Sequence, residues 1–467
     1  MIKIRELSPD QDLPNLADCL DPIAMRPRLQ AGMFPGRRKY VNTSIQLCSL
    51  AHTRYKPGRY CIVGYKLATE RANRLIQQSV YGRMVGRGES AKHFAAAQRN
   101  QWVNPIAGEP CFHIPEYEMC CWTFPNDRKL LNLPKIVDPD YLIPRIESKI
   151  FLGSSWRVHK FETDVIQYVP EHTCTVSVSF ELSAPTRRVN NRMTIYGKTY
   201  ADDHGVRIFD AMNQLYQNPA VTSGQLRIAR PLLYDYESQS LWQDKLEGRS
   251  LASFPWSNPG LYLHYRQAGA ALATLHSIRV EDLRSIGTRD ILERFHETIS
   301  ILARVRPSYV KQLDDIAATV MAKRDCLASE PLGTVHGDAH RENFWVHDQS
   351  VGLIDWDSIT YGPILYDLAS LVARVHFPVA TGQLSAQRAE YLIQQFLQGY
   401  RQNGGFPIDS QQLAWHTAIA LIAQSARSCA TRFRTGRFDT IDRLITVAQT
   451  QLENKFHVND RKFGASN

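Results

Sequence analysis

A chain of 467 residues is long enough to bury two or three ordinary cores of about 100–150 residues each, which excludes a lone small module. Hydrophobic residues at 43% and charged residues at 22% exclude the disordered and fibrous classes. The formal charge of +9 comes from 55 basic residues dispersed among 46 acidic ones, without the dense basic run of a nucleic-acid track.

In chain order, charges fill Met1 to Asp10 where a signal peptide needs an apolar core, and no run of 18 or more apolar residues occurs anywhere. A cytoplasmic protein with no membrane and no nucleic-acid partner is expected. The front half then repeats itself. Leu13 to Arg28 recurs as Leu131 to Arg145, with Asp21-Pro22 matching Asp138-Pro139 and Pro27-Arg28 matching Pro144-Arg145. Tyr55 to Cys61 resembles Tyr168 to Cys174, Tyr81-Gly82-Arg83 resembles Tyr196-Gly197-Lys198, and Pro110 to Trp122 resembles Pro231 to Trp242. A shift of roughly 115 residues is close to the size of a small domain.

Within each copy apolar residues alternate with polar ones, as at Cys61, Val63, Tyr65 and Leu67 and at Val176, Val178, Phe180 and Leu182, so half-buried strands are predicted. A helical stretch follows, Glu89 to Gln98 in the first copy and Val206 to Tyr216 in the second. From about Gly248 the pattern is helical: Leu261 to His276, Asp290 to Ala303, Ser308 to Ala328, Ala386 to Asn403, Gln411 to Arg432 and Thr440 to Lys455. A strand-rich insert, Thr334 to Ile354, interrupts this run.

That insert carries His336-Gly337-Asp338, then Asn343, and after a predicted hairpin (Phe344–Val346 and Gly352–Ile354) Ile354-Asp355-Trp356-Asp357. Phosphoryl transfer needs in-line positioning and neutralised phosphate charge, hence hard oxygen ligands and a carboxylate facing the attacking hydroxyl. Asp338 and Asn343 share one loop, and the hairpin returns Asp355 beside them.

The His-Gly-Asp with Asn343 at its step, the Ile-Asp-Trp-Asp and the downstream Gly362-Pro363-Ile-Leu-Tyr-Asp367-Leu-Ala369 resemble the aminoglycoside phosphotransferase and choline kinase family, over Ile195 to Leu371. The resemblance implies an α+β, protein-kinase-like bilobal fold with a mostly β N-lobe and a helical C-lobe. Residues 1–125 would be a degenerate duplicate of the N-lobe, 126–247 the nucleotide-binding N-lobe, and 248–467 the C-lobe with the catalytic loop and substrate site. It further implies ATP and Mg2+ as cofactors and a small-molecule hydroxyl acceptor. Asp338 is then the catalytic base, Asn343 and Asp355 hold magnesium, and Lys198 contacts the nucleotide phosphates. Leu241 to Gly248, with Trp242 and Asp244, resembles the hinge beside adenine, and Asp367 a support for the loop.

Two departures stand out. The turn Tyr168-Val-Pro-Glu-His-Thr173 has no glycine where kinases cover the phosphates, and the helix Val206–Tyr216 has no Glu to pair with Lys198, leaving Asp210 as the nearest acid. They leave open a second reading, a pseudokinase acting as a nucleotide-binding or scaffolding protein. The nine cysteines, without a CxxC pair, read as reduced thiols. His340 and His347 lack a ligand-spaced partner and read as surface residues, and Arg427, Arg432, Arg434 and Arg437 suggest a neutral or anionic acceptor.

Overall fold

The computed structural model describes residues 9–36, 40, 43–71, 74–150, 156–184, 187–327, 329–433 and 438–453. The chain divides into two compact units, one of residues 1–209 and 231–245, the other of residues 210–230 and 246–467.

The first unit holds two five-stranded sheets. After α1 (Leu16–Cys19) and α2 (Pro22–Met33), the strands β1 (Thr43–Lys56), β2 (Tyr60–Arg71) and β3 (Arg74–Val85) form a meander. Then come α3 (Ser90–Ala97) and the pair β4 (Cys111–Ile114) and β5 (Met119–Thr123), giving the sheet order β1-β2-β3-β5-β4. The second sheet follows α4 (Leu133–Ile136) and α5 (Pro139–Arg145). Its strands are β6 (Arg157–Val169), β7 (Thr173–Ala184) and β8 (Arg187–Tyr200).

Next come α6 (His204–Gln217), α7 (Pro219–Thr222) and the two-residue strand β9 (Arg227–Ile228), and then β10 (Pro231–Asp235) and β11 (Ser240–Asp244). The order β10-β11-β8-β7-β6 is that of the first sheet read from the other edge.

The local chemistry repeats with the topology. Asp21 and Asp138 both cap a helix that begins with Pro, accepting from Ile23 N and Asp140 N, because a proline at the first position gives up no needed donor. In the first sheet Asp10 Oδ2 accepts from Tyr55 Oη (2.7 Å) and from the turn amide of Gly58 (2.8 Å), while Oδ1 accepts from Asp12 N. In the second, Asp127 Oδ2 accepts from Tyr168 Oη (2.7 Å) and the turn amide of Glu171 (2.9 Å), while Oδ1 accepts from Lys129 N. One carboxylate thus pins the turn between the first two strands of each sheet.

The second sheet's core is the alternating set Cys174, Val176, Val178 and Phe180 with Leu133, Ile136, Leu142 and Trp242. Trp242 lies across Gly197, where an added Cβ would stand 2.5 Å from the indole, so glycine is required there.

The second unit is mainly helical: α8 (Leu261–Ser277), α9 (Thr288–Val305), α10 (Val310–Ala322), α11 (Leu365–Ala380), α12 (Ala386–Gln402), α13 (Ser410–Ala420), α14 (Arg427–Arg432) and α15 (Ile441–Glu453). The predicted helix Gln411–Arg432 is α13 and α14 joined through a wider π-turn at Leu421–Ala426. α11 is a helix that the periodicity did not announce, because it is apolar nearly all round.

Between α10 and α11 lie β13 (Leu332–Val335), β14 (Phe344–His347), β15 (Ser350–Leu353) and β16 (Thr360–Pro363). β14 and β15 form the expected hairpin, extended by β9 on one side and β12 (Arg249–Ser250) on the other, and β13 pairs with β16. Among the described residues no helix is long and apolar enough to cross a membrane. Cys19, Cys48, Cys61, Cys111, Cys120, Cys121, Cys174 and Cys429 are free thiols, and burial raises those in the two sheets above the ordinary thiol range.

Candidate active site

The His336 to Asp355 segment is held by hydrogen bonds that leave its loop little freedom. β13 delivers a fully buried His336, whose Nε2 donates to Ile354 O at 2.9 Å; a carbonyl only accepts, so that nitrogen carries the proton. Ile354 N in turn donates to Asn343 O at 3.1 Å. These two bonds bring the His-Gly-Asp turn, Asn343 and the residue preceding Asp355 together. Gly337 has φ +79°, and a Cβ there would stand 2.1 Å from Ser358 O, so the middle position of the motif admits only glycine. Asp355 itself has φ +65°, a left-handed conformation unusual for a non-glycine residue and typical of strained functional positions.

A buried carboxylate braces the loop from behind. Asp367, on the first turn of α11 and 0% exposed, accepts from His336 N (2.6 Å, Oδ2) and Gly337 N (2.8 Å, Oδ1). Its Oδ2 also lies 3.2 Å from His276 Nε2, and the other nitrogen of that ring is 2.9 Å from Tyr400 Oη. The helix is capped at Ile364 without a side-chain bond, so Asp367 spends its carboxylate on the loop and not on its own helix end.

Asp338 is about half exposed, its side chain 46% accessible, and sits 3.3 Å from His340 Nε2; His340 Nδ1 lies 2.7 Å from Glu342 Oε2. Desolvation pushes the Asp338 carboxyl up, but His340, His336 and Arg374 outweigh it and hold it at about 2. Burial lowers His340, yet its two carboxylate neighbours raise it to about 9. His340 is therefore not the surface residue that its spacing suggested: only 18% of its side chain is exposed, and it acts as a cationic bracket between two acids. His347 is more open and lies beside Asp348.

Asn343 is buried and uses its amide nitrogen on Asp338 O at 3.0 Å, which leaves the side-chain oxygen for another partner. Among the described residues no group of three or more His, Cys, Asp and Glu side chains is arranged to hold a metal. The donors that the resemblance implies are instead the Asn343 amide oxygen and the Asp355 carboxylate. Such a sparse, hard set fits magnesium, which keeps several waters and takes further oxygens from phosphates.

The remaining predicted residues lie elsewhere on the chain. Lys198 is half-buried on β8, between Thr175 of β7 and Leu241 of β11, with its ammonium 5.8 Å from the Tyr200 ring centroid. Asp210 is exposed on α6. Asp244 ends β11 opposite Ile195, and the chain passes from the first compact unit to the second just after it. Trp242 corrects the expectation of an adenine-stacking ring: it is 3% exposed, packed in the core of its sheet, with Nε1 donating to Ser240 Oγ at 2.8 Å. A strand residue whose ring fills the core has no face left for a ligand. Of the arginine group, Arg427 is tied to Glu297 (3.1 Å) and Thr298, while Arg434 and Arg437 lie outside the described residues.

The model of the phosphotransferase enzyme family (APH) matches residues 194–405. No curated protein matches the chain. Among solved structures, a putative aminoglycoside phosphotransferase from Ralstonia eutropha is 15% identical with a TM-score of 0.47, covering 68% of this chain and 97% of its own. A choline/ethanolamine kinase family protein from Mesorhizobium loti is 14% identical with a TM-score of 0.44, covering 68% and 95%. Choline kinase LicA from Streptococcus pneumoniae is 14% identical with a TM-score of 0.42, covering 67% and 98%. The matched segment, residues 194–405, carries the Lys198 strand, the His-Gly-Asp loop and the Asp367 brace, and is similar to the phosphotransferase enzyme family.

Proposed function

We propose that the chain is a small-molecule kinase, transferring the γ-phosphoryl group of ATP to a hydroxyl of a small acceptor with magnesium. The observation that carries this reading is the pair of hydrogen bonds through Ile354, which ties Asp338, Asn343 and Asp355 into one loop cluster within the family segment. Asp338, ionised over the whole physiological range, orients the acceptor hydroxyl and takes its proton as the oxygen attacks phosphorus. The Asn343 amide oxygen and the Asp355 carboxylate would hold magnesium, which when bound neutralises phosphate charge. Lys198 is assigned to the nucleotide phosphates and the Leu241–Gly248 stretch to the base, with Asp210 the nearest acidic residue on the following helix.

The helical unit supports a reading of the acceptor class. Arg294, Glu297, Tyr366, His416, Gln424 and Arg427 line a cleft of about 310 Å³ in that unit. Two guanidinium groups face one lining carboxylate there, and Glu330 engages His416 from beside it at 2.7 Å. A neutral or carboxylate-bearing hydroxy compound suits these walls better than a polycationic one. The test is a panel of sugars, hydroxy acids, amino alcohols and aminoglycosides with ATP and magnesium, read as ADP release, with Asp355→Ala as the blank. Acceptor-dependent release absent from the blank supports the proposal. Turnover with polyamine sugars alone overturns the acceptor class, and equal release from both proteins overturns the kinase reading.

We also infer that the first sheet is a degenerate copy of the nucleotide-binding one, supported by the shared strand order and the equivalent Asp10 and Asp127 anchors. In it Arg83 stands at the position of Lys198.

A further inference from the structure

The turn between β6 and β7, at the position where kinases cover the phosphates, is not free. Glu171, at φ +59°, buries its carboxylate so that 1% of the side chain is exposed. Arg128 grips it bidentately, Nε to Oε1 at 2.8 Å and Nη2 to Oε2 at 2.7 Å. Arg83 of β3 donates to Oε2 at 2.9 Å, and Arg54 of β1 approaches the same oxygen at 4.0 Å. Three guanidinium groups converging on one carboxylate make a preorganised anion receptor, since the fork of arginine matches carboxylate and phosphate alike.

The receptor's outer side opens into a cleft of about 640 Å³ on the first sheet, large enough for a metabolite-sized ligand. Arg59, Arg83, Arg87 and His93 line it, with Asp12 and Glu89 as its acidic members. Among the described residues neither Arg59 nor Arg87 makes an ion pair, and both are exposed. The Arg83 guanidinium lies over the Tyr60 ring at 4.1 Å, which fixes its plane at the cleft wall. His93 reports the field: burial first, then Arg83 and Arg128, push it below the ordinary imidazole range against the opposing pull of Glu89 and Glu171.

We propose that this cleft binds a small molecule through a phosphate or pyrophosphate group held by Arg59, Arg83 and Arg87, and that occupancy is coupled to the β6–β7 turn because ligand and Glu171 share Arg83. A ligand that draws Arg83 away from Glu171 loosens the turn of the second sheet, and by linkage anything that loosens the turn raises ligand affinity. The site belongs to the sheet outside the family segment, so it stands whether or not the helical unit turns over.

The test is calorimetric titration of the full chain with pyrophosphate, without magnesium, in four proteins whose folding is checked by circular dichroism. Lys198→Ala removes the phosphate contact assigned to the second sheet, Arg59→Ala/Arg87→Ala removes only exposed cleft residues, and Glu171→Gln keeps the turn's shape without its charge. Pyrophosphate is expected to bind the wild type and Lys198→Ala alike and to weaken roughly tenfold or more in the double arginine variant, the loss of one or two charge-assisted contacts. Glu171→Gln is expected to bind about tenfold more tightly. No binding by the wild type, equal affinity in the double variant, or loss confined to Lys198→Ala overturns the site; unchanged affinity in Glu171→Gln overturns the coupling.

Discussion

Replacing Asp367 by Asn isolates what the brace contributes to the loop. The carboxylate accepts two backbone amides, at 2.6 and 2.8 Å, in a place without solvent, and touches His276 as well. Asparagine keeps the shape but offers one oxygen, so one amide loses its acceptor and the new NH2 faces an N–H. A buried charge-assisted bond is worth about 1.5–3 kcal/mol and an unsatisfied donor costs about 1–3 kcal/mol more, which together give about 2.5–6 kcal/mol.

For domains of about 150–250 residues each kcal/mol moves Tm by roughly 2–4 °C, so the helical unit should unfold about 10 °C earlier. Turnover should fall further than stability alone explains. A shift of about 1 Å in Asp338 costs about 10²-fold in kcat, while the KM for ATP changes little because Asp367 contacts only the loop and its neighbours. Circular-dichroism melting and steady-state kinetics on the same preparation read both. An Asn variant within about 0.5 kcal/mol of wild type, with kcat intact, would refute the reasoning, since that is the range of substitutions touching nothing.

Other outcomes follow from the same contacts. Gly337→Ala meets both a φ of +79° and the Ser358 carbonyl, and should destabilise by more than about 2 kcal/mol in urea melts; a neutral result would mean the turn can rebuild. For Glu171, burial raises the carboxyl but Arg128, Arg83 and Arg54 outweigh it and hold it below the usual range. A depressed carboxyl stabilises above the unfolded value near 4.3 and loses that contribution as pH falls through the folded one. Wild type should therefore lose stability on acidification below about pH 4 more steeply than Glu171→Gln, the two curves converging at the acid end. Glu171→Ala at neutral pH strands Arg128 and Arg83 and should cost about 3 kcal/mol, the lower end for a broken buried pair because both arginines are partly exposed.

Sequence carried the parts of this molecule whose signals are local. Alternation drew the strands around Cys61 and Val176, and the spacing from His336 to Asp355 announced a loop and hairpin that the structure builds from β13, β14 and β15. The repeated Asp-Pro and Tyr-to-Cys segments pointed to two sheets of one order before any strand was paired.

What sequence hid is long-range. Glu171 read as a missing glycine in a phosphate turn, because nothing near it reveals that Arg83 and Arg128, some 88 and 43 positions earlier, will bury its charge. The Asp10 and Asp127 anchors lie just outside the stretches that align, while the tyrosines and turn amides they bind fall inside. His340 lacked a metal-ligand spacing and so looked incidental, though a histidine set between Asp338 and Glu342 carries its own signal as a charge bracket. Trp242 misled for a different reason: strand position decides which face a ring occupies, and Gly197 across the ladder opens the core side to it.

In the proposed reaction Asp338 moves a proton while other groups hold the nucleotide. The most direct measurement compares wild type and Asp338→Asn for γ-phosphoryl transfer, followed by 31P NMR with the first acceptor the panel yields, alongside ATP affinity measured by calorimetry. ATP affinity is expected to stay within about twofold and turnover to fall about 10²–10⁴-fold, the usual worth of a positioned general base. Equal transfer by both proteins, or loss of ATP binding in the variant, would contradict that role.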